Sequence, residues 1–389
     1  MNAPGLVGVA CQGKSLCFAV GGYFGGAFGS VPLFGTILTS TNGGTFWTNV
    51  PLPLVPTANP NAATSTATPA GGTTAYVSCA VTACPLGPPG GLNAISVGSS
   101  GRNVYAVGAP ALVPVTPGIP LAMTVGNLPA LGAGTILYSG NSGASFVSQS
   151  APFVPRYFYE LTTVYALRGT VAFAAGGNPL WTEGSATTST GAAVTTAATV
   201  VPANGVIIGT SNGGFTWSVQ NLPSYSYACS SANQLANGLC WNTGATTPAA
   251  YSPQGTALNG AIPVINSLAF LRQSSGAYMG WAVGNDGLVF VTSLSLPGAT
   301  GGGRGIITSW TQAAMGAAFA SMVQLPTGFQ HLIGIVWDNA QVGYIYGKGI
   351  ILSTHNAGAT WVVDAPTALL VSSGASINAL AVVPTKYRR

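Results

Sequence analysis

Charged residues are the scarcest feature of this 389-residue chain. Lys and Arg number 10, Asp and Glu number 5, and charged residues make up 4% of the sequence, against about 25% in ordinary soluble domains. Hydrophobic residues make up 48% and aromatic residues 9%, which excludes intrinsic disorder because disordered chains are rich in charge and poor in aromatics. The chain is therefore expected to fold around a large core and to expose a nearly uncharged surface.

Two further absences exclude helical architectures. No stretch approaches the run of about 18 consecutive apolar residues that a membrane-spanning helix needs. Glu and Lys, which helical bundles use heavily, are nearly absent, whereas the chain contains 55 Gly and 27 Pro. These absences leave an all-β protein without a transmembrane segment.

The few basic residues are dispersed along the sequence and form no basic stripe. The densest group, Lys386, Arg388 and Arg389, stands at the C-terminal end and is either a docking tail or a solvated end. Because phosphate contacts need clustered Lys and Arg, nucleic acid is not an expected partner.

The six cysteines fall into three local pairs, and neither a CxxC motif nor a Cys/His cluster is present. This spacing suits short disulfide-closed loops made in an oxidising compartment, although six buried free thiols would fit it as well. Because no CxxC motif and no Cys/His cluster is present, we expect no metal, and we expect no cofactor. The candidate disulfides are Cys11 with Cys17, Cys79 with Cys84, and Cys229 with Cys240.

A short block recurs four times along the chain. Each copy has an apolar strand, an Asn/Gly turn and an aromatic residue that begins another strand, which predicts a hairpin because Asn and Gly tolerate the positive φ of tight turns. The turn residues of the copies are Ser40, Asn42, Gly44 and Trp47; Ser139, Asn141, Gly143 and Phe146; Thr210, Asn212, Gly214 and Trp217; and Thr354, Asn356, Gly358 and Trp361.

Two more strands precede each block, and the second of them ends in glycine, as in Val104–Gly108. Four-stranded units repeated around a centre predict a β-propeller of about five blades in one domain over residues 1–389. A closing strand at 377–384 would complete the ring or begin an incomplete sixth blade, and the fourth unit is degenerate. The units span approximately 6–50, 92–150, 161–220, 265–313 and 332–365, separated by long insertions rich in Pro, Thr and Ala.

The turn pattern Ser40-x-Asn42-x-Gly44-x-x-Trp47 resembles the Asp-box (BNR) repeat of sialidases, sortilin-like receptors and the photosystem II stability/assembly factor family. The Gly-ended strand looks most like the last of these. The resemblance implies a propeller but no particular activity, because many functions share this turn. In all four copies the family's Asp is Asn, which can make the same local hydrogen bonds without charge.

The sequence does not assemble a catalytic site. Glycoside hydrolysis needs two facing carboxylates, but the five acids are widely dispersed: Glu160, Glu183, Asp286, Asp338 and Asp364. The one polar and aromatic cluster, Arg156-Tyr157-Phe158-Tyr159-Glu160, could line a central pocket or form an ion pair. We therefore expect a protein without enzymatic activity.

When a surface with little charge is buried against a copy of itself, the free-energy cost of removing charged groups from water is small. We therefore expect a structural protein that self-associates into a sheet, tube or shell, such as an algal pyrenoid shell or a surface-layer lattice. One alternative is a plastid binding protein like the photosystem II assembly factors. Another is an extracellular glycan-binding or adhesion propeller that uses aromatics such as Tyr157, Tyr159, Tyr225 and Tyr227.

The start of the chain, Met1–Gly5, has neither the basic nor the apolar segment of a targeting peptide. We therefore expect a targeting peptide to have been removed from a protein that resides in a plastid or outside the cell.

Overall fold

A computed structural model gives the structure of this chain. It describes twelve parts of the chain, and every structural statement below concerns these residues. They are residues 5–22, 35–56, 86–87, 89–109, 134–152, 160–177, 205–223, 262–296, 306–313, 315, 331–364 and 376–382.

Five four-stranded antiparallel sheets form the fold, and in each sheet the strands are neighbours in chain order. The predicted class, an all-β protein of the propeller type with about five four-stranded units, is confirmed. Sheet 1 contains β1 (Gly5–Gln12), β2 (Leu16–Gly22), β3 (Gly35–Ser40) and β4 (Thr48–Asn49); sheet 2 contains β7 (Leu92–Val97), β8 (Val104–Gly108), β9 (Thr135–Ser139) and β10 (Val147–Gln149). Sheet 3 contains β11 (Glu160–Arg168), β12 (Val171–Gly177), β13 (Val206–Thr210) and β14 (Ser218–Val219).

Sheet 4, which corresponds to the unit that the sequence shows as degenerate, also has four strands. It contains β15 (Ile265–Arg272), β16 (Tyr278–Gly284), β17 (Val289–Leu294) and β18 (Thr311–Gln312); sheet 5 contains β19 (Leu332–Trp337), β20 (Gly343–Gly347), β21 (Ile350–Thr354) and β22 (Val362–Val363). A two-stranded pair, β5 (Val55–Pro56) and β6 (Leu86–Gly87), and one 3-10 turn, Asn285–Gly287, complete the described elements. No helix among the described residues is long and apolar enough to span a membrane.

The glycine that ends the second strand is explained by close packing against the first strand. The first strands of sheets 1, 2, 4 and 5 carry an irregularity in their pairing near this glycine. A Cβ on Gly21 would lie 1.9 Å from the Gly5 carbonyl oxygen, and a Cβ on Gly108 would lie 2.1 Å from that of Gly91. Only glycine leaves room for this approach.

The chain divides into two compact units. Unit 1 comprises Met1–Gly176, Ile207–Val219 and Gly301–Ile307, and unit 2 comprises the remainder. In unit 1, β7 packs against both β1 and β11, and the core includes Phe18, Ile37 and Leu137; in unit 2, β15 packs against β19 around Trp281, Ile345 and Trp361. That the whole chain forms a single domain stays a prediction.

The predicted closing strand is wrong as far as residues 376–382 are described. Ser376 forms one isolated bridge with Lys348, and the next backbone N–H, of Ile377, reaches the Gly347 carbonyl at a long 3.4 Å. Beyond this bridge the segment is irregular and only partly buried. One bridge does not make a strand, because a strand needs consecutive pairs on its neighbour.

Candidate functional site

Each recurrent Asn/Gly turn, hereafter a repeat turn, is closed by the same side-chain hydrogen bonds. In the first, the Ser40 hydroxyl donates to Asn42 Oδ1 (2.9 Å) and accepts the N–H of Gly44 (2.8 Å), while Asn42 Oδ1 accepts the N–H of Phe46 (2.9 Å). The same three bonds recur at residues 139–145, 210–216 and 354–360. The hydroxyl and the amide oxygen thus satisfy backbone donors that the tight turn leaves open.

The asparagines do not take the positive φ that the sequence suggested for them. The left-handed positions are the two residues after each Asn, for example Gly43 (φ 70°) and Gly44 (φ 88°). Two copies place a residue with a side chain at the first of these positions, Ser142 (φ 59°) and Ala357 (φ 57°). The Asn therefore acts as a hydrogen-bond acceptor, and the two residues after it take the left-handed conformation.

The side-chain amide of the repeat-turn Asn is also a hydrogen-bond donor, and three of the four turns have a hydroxyl four residues later. In three turns the Asn Nδ2 donates to that hydroxyl: Asn141 to Ser145 (2.9 Å), Asn212 to Thr216 (2.9 Å), and Asn356 to Thr360 (2.7 Å). The first turn has Phe46 at this position instead. The amide thus has a donor that a carboxylate would lack, and three turns supply its acceptor.

Every repeat turn is fixed to the hairpin between the first and second strands of its own sheet. The backbone N–H of the residue after the Asn donates to a carbonyl of that hairpin at 2.9 Å in all four cases. The pairs are Gly43 with Ser15, Ser142 with Arg102, Gly213 with Thr170, and Ala357 with Gln341. Repeat turn and first hairpin therefore lie at the same end of each sheet.

The turn glycines also form the seams between neighbouring sheets. A Cβ on Gly143 of sheet 2 would lie 2.1 Å from the Phe18 ring of sheet 1. In unit 2, a Cβ on Gly358 would lie 3.0 Å from Trp281 Nε1. The second-strand aromatics Phe18 and Trp281 are buried, and the sequence shows a third at the same position, Tyr105. At two of these strands, the aromatic three residues before the terminal glycine thus packs against a turn glycine of the next sheet, a packing signal that the sequence interpretation missed.

In unit 1 the first hairpins of three successive sheets carry one basic residue each: Lys14, Arg102 and Arg168. All three are exposed. The Gln12 Nε2 donates to the Ser99 carbonyl (3.0 Å), which joins the first hairpin to the second. The Asn103 Nδ2 donates to the Gly169 carbonyl (2.7 Å), which joins the second to the third.

The three hairpins, with the repeat turns fixed to them, form a continuous region that we call the basic turn surface. It comprises residues 12–16, 98–103, 168–171, 40–47, 139–146 and 210–217, and none of these residues is acidic. The sequence, in which the basic residues form no stripe, gave no sign that these three stand on adjoining hairpins. They are 88 and 66 positions apart in the sequence, and the sheet packing brings their hairpins together.

Two phenylalanines stand exposed on the basic turn surface. Phe46 is 66% exposed and Phe215 is 90% exposed. The other copies have Ser145, Thr216 and Thr360 at the position of Phe46; at that of Phe215 they have Thr45, Ala144 and Ala359. Neither ring is needed to build a repeat turn, because the other turns form without one.

Glu160 is the one member of the predicted Arg-Tyr-Phe-Tyr-Glu cluster that lies within the described residues. It begins β11, half-buried, and its carboxylate accepts a hydrogen bond from Asn93 Nδ2, which also donates to the Leu161 carbonyl (2.9 Å). Burial raises the pKa of Glu160, and the Asn93 hydrogen bond opposes that rise in part. No second carboxylate is seen beside it in the described structure, so the arrangement shows no acid pair for glycoside hydrolysis.

The remaining predicted residues divide between those described and those outside the described residues. Cys11 and Cys17 form a disulfide that links β1 to β2. The aromatic turn residues Phe146, Trp217 and Trp361 are buried, and Trp47 is half-buried. Outside the described residues lie Cys79, Cys84, Cys229, Cys240, Arg156, Tyr157, Tyr159, Glu183, Tyr225, Tyr227, Lys386, Arg388 and Arg389.

Among the described residues, no three His, Cys, Asp or Glu side chains stand close enough together to hold a metal ion. Asp338 and Asp364 lie after β19 and β22, and Ser353 donates to the Asp364 carboxylate (2.9 Å). The described residues also include a cationic region with exposed aromatic rings, and five fourth strands that carry no charge.

No protein-family model and no curated protein matches this chain. Similar solved structures include YCF48 from Cyanidioschyzon merolae, with 13% identity over 94% of this chain and 85% of that chain and a TM-score of 0.32. YCF48 bound to D1 peptide has 12% identity over 94% and 83% of the two chains, with a TM-score of 0.34. A Dyadobacter fermentans protein of unknown function has 11% identity over 93% and 82%, with a TM-score of 0.41.

Other similar structures are enzymes: a xyloglucanase from Xanthomonas campestris, an ulvan lyase and a Trypanosoma rangeli sialidase. At these TM-scores the likenesses carry no argument about function. They include enzymes and YCF48 alike, so they do not decide whether this chain is catalytic.

Proposed function

We propose that this chain is a non-enzymatic structural protein that self-associates into a sheet, tube or shell through the fourth strands of its sheets. One observation carries the proposal. The five fourth strands, β4, β10, β14, β18 and β22, contain no charged residue and no proline. Each lies at an edge of its sheet, and among the described strands it pairs only with the third strand of that sheet. Beside two of these edges, Asn221 after β14 bridges to Ser309 before β18.

Exposed apolar side chains accompany these edges. Val147 of β10 is 56% exposed and Val362 of β22 is 55% exposed. Natural proteins usually protect an edge strand with charge, proline or a cover, because its free N–H and C=O groups pair readily with another chain. The fourth strands lack charge and proline, but they are short: four have two residues and β10 has three, which limits the backbone pairing that one edge can offer. The absence of charge still favours contact with the same edge of a second copy, because no charge has to be desolvated there.

The test places a charge on the edges. Val147→Lys and Val362→Lys, made together, put an exposed ammonium on two fourth strands without disturbing buried side chains. Ser274→Lys is the control for added positive charge, because it places one ammonium, half the charge of the double variant, on an exposed turn between β15 and β16.

Light scattering of the purified full chain reports the outcome as particle mass. We expect large particles for the wild type and for Ser274→Lys, and a monomer for the double variant. A wild type that stays monomeric, or a double variant that assembles as the wild type does, would overturn the proposal.

A further inference from the structure

The basic turn surface has no assigned role in self-association and has a chemistry of its own. Lys14, Arg102 and Arg168 stand on three neighbouring hairpins with no acidic residue among them. They are spread over three sheets rather than gathered around one pocket. Their hairpins are joined in a row, the first to the second and the second to the third, and cations arranged in this way suit an extended anionic surface.

The exposed phenylalanines indicate what kind of anionic surface this is. In the first repeat turn Phe46 replaces the hydroxyl that accepts the Asn Nδ2 hydrogen bond in the other three. The first turn therefore lacks the hydrogen bond from the Asn Nδ2 to a hydroxyl, and it exposes an aromatic ring instead. Phe215 is more exposed still, and the two rings are held on turns fixed to the cation-bearing hairpins.

We propose that the basic turn surface docks on a membrane that contains anionic lipids. The cations match the lipid headgroups, which carry the negative charge. The phenylalanine rings, which have no polar group, match the acyl boundary beneath the headgroups, which accepts apolar side chains. A second copy of this surface is a poor occupant, because its cations would face one another. A protein segment rich in carboxylates would satisfy the cations but would give the phenylalanines no apolar phase to enter.

Vesicle flotation tests the proposal with two sets of variants. Phe46→Ser and Phe215→Thr, made together, install residues found in other copies of the turn, and the serine restores an acceptor for Asn42 Nδ2. Lys14→Gln and Arg168→Gln, made together, remove two cations; Lys386→Gln with Arg388→Gln is the control, because it removes the same charge from another part of the sequence. The vesicles are phosphatidylcholine, with or without phosphatidylglycerol.

The wild type is expected to float with phosphatidylglycerol vesicles and to stay unbound with phosphatidylcholine alone. Each cation removed should lower the partition coefficient about five-fold, and the phenylalanine pair should lower it while leaving the thermal stability unchanged or higher. The control should bind as the wild type does.

Three results would overturn the proposal. The first is equal binding to neutral and anionic vesicles, and the second is undiminished binding by the phenylalanine variant. The third is capture by a poly-glutamate peptide without any binding to vesicles, which would assign the surface to an acidic protein segment. Because the fourth-strand edges play no part in this contact, the Val147→Lys and Val362→Lys protein should retain it if it is monomeric.

Discussion

At the scale of single residues, the repeat turns place their conformational cost on the two positions after the Asn. Glycine occupies six of these eight positions, but Ser142 and Ala357 hold a left-handed conformation with a side chain. A residue other than glycine is disfavoured there because its Cβ crowds the backbone. These two residues are therefore sites where the present sequence is less stable than its own repeats allow.

Ala357→Gly should stabilise the protein. The left-handed conformation costs an L-residue about 1–2 kcal/mol, and glycine returns part of that gain through its larger unfolded-state entropy. We expect the free energy of unfolding, measured with denaturant, to rise by about 0.5–1 kcal/mol. Ala359→Gly in the same turn is the control: its φ is not positive, so there the substitution should only destabilise.

Glu160 gives the stability of the fold a dependence on pH. Its pKa in the folded state is raised by burial, so folding favours the protonated acid. The stability that this group contributes is present below the pKa of the unfolded chain and is lost as the pH rises through the folded pKa. Glu160→Gln, which keeps an oxygen for Asn93 to donate to, removes that loss.

The free energy of unfolding of Glu160→Gln should therefore exceed that of the wild type at neutral pH, and the difference should vanish in acid, below the ordinary glutamate pKa. Denaturant titrations at the two pH values measure this. A variant that is less stable at neutral pH would mean that Asn93 and its surroundings prefer the carboxylate.

At the scale of the elements, neighbouring sheets are joined where a turn glycine meets a second-strand aromatic. Gly143 lies against Phe18, with no room for a Cβ. Gly44 has a similar φ, 88° against 80° for Gly143, but the atom nearest to its added Cβ is 3.6 Å away, on Trp47. Both glycines thus take the left-handed conformation, but only Gly143 is packed tightly against an aromatic ring of a neighbouring sheet.

Gly143→Ala should therefore destabilise the protein more than Gly44→Ala. Both variants carry the left-handed penalty, and the first also forces a methyl group against a buried ring, which costs about 1–3 kcal/mol more. Chemical denaturation of the two variants gives the difference directly. Equal losses of unfolding free energy in the two variants would show that the contact between Gly143 and Phe18 accommodates a methyl group, and would contradict the close packing.

The sequence predicted most of the elements because its repeats carry strong local signals. Strand order within each sheet, the position of the repeat turns and the fourth sheet all follow from those signals. The pairing of Gly143 with Phe18 did not follow, because no local pattern states which sheets are neighbours at that point. Of the closing strand predicted at 377–384, the described residues 377–382 form no strand, because an apolar run predicts a strand only where a neighbouring edge accepts it.

The basic turn surface could not be predicted from the sequence for the same reason: no local pattern shows which hairpins are adjacent. Lys14, Arg102 and Arg168 look dispersed in the sequence, and only the hydrogen bonds Gln12 to Ser99 and Asn103 to Gly169 show that their hairpins are adjacent. Phe46 could have been noticed, since aligning the four repeat turns shows it at a position where the other copies have Ser or Thr.

At the scale of the whole molecule, scarcity of charge has two different consequences. The fourth strands have none, which makes their edges suited to pairing with copies of the chain. Three described cations of unit 1, Lys14, Arg102 and Arg168, stand on adjacent hairpins that contain no acidic residue. A protein built in this way would assemble through its edges and present the basic turn surface to an anionic partner.

Negative-stain electron microscopy of the purified full-length chain, at a concentration of tens of micromolar, tests the central claim most directly. Self-association through uncharged edges predicts extended sheets, tubes or shells with a regular repeat. A field of separate particles, each of the size of one 38.7 kDa chain, would contradict it.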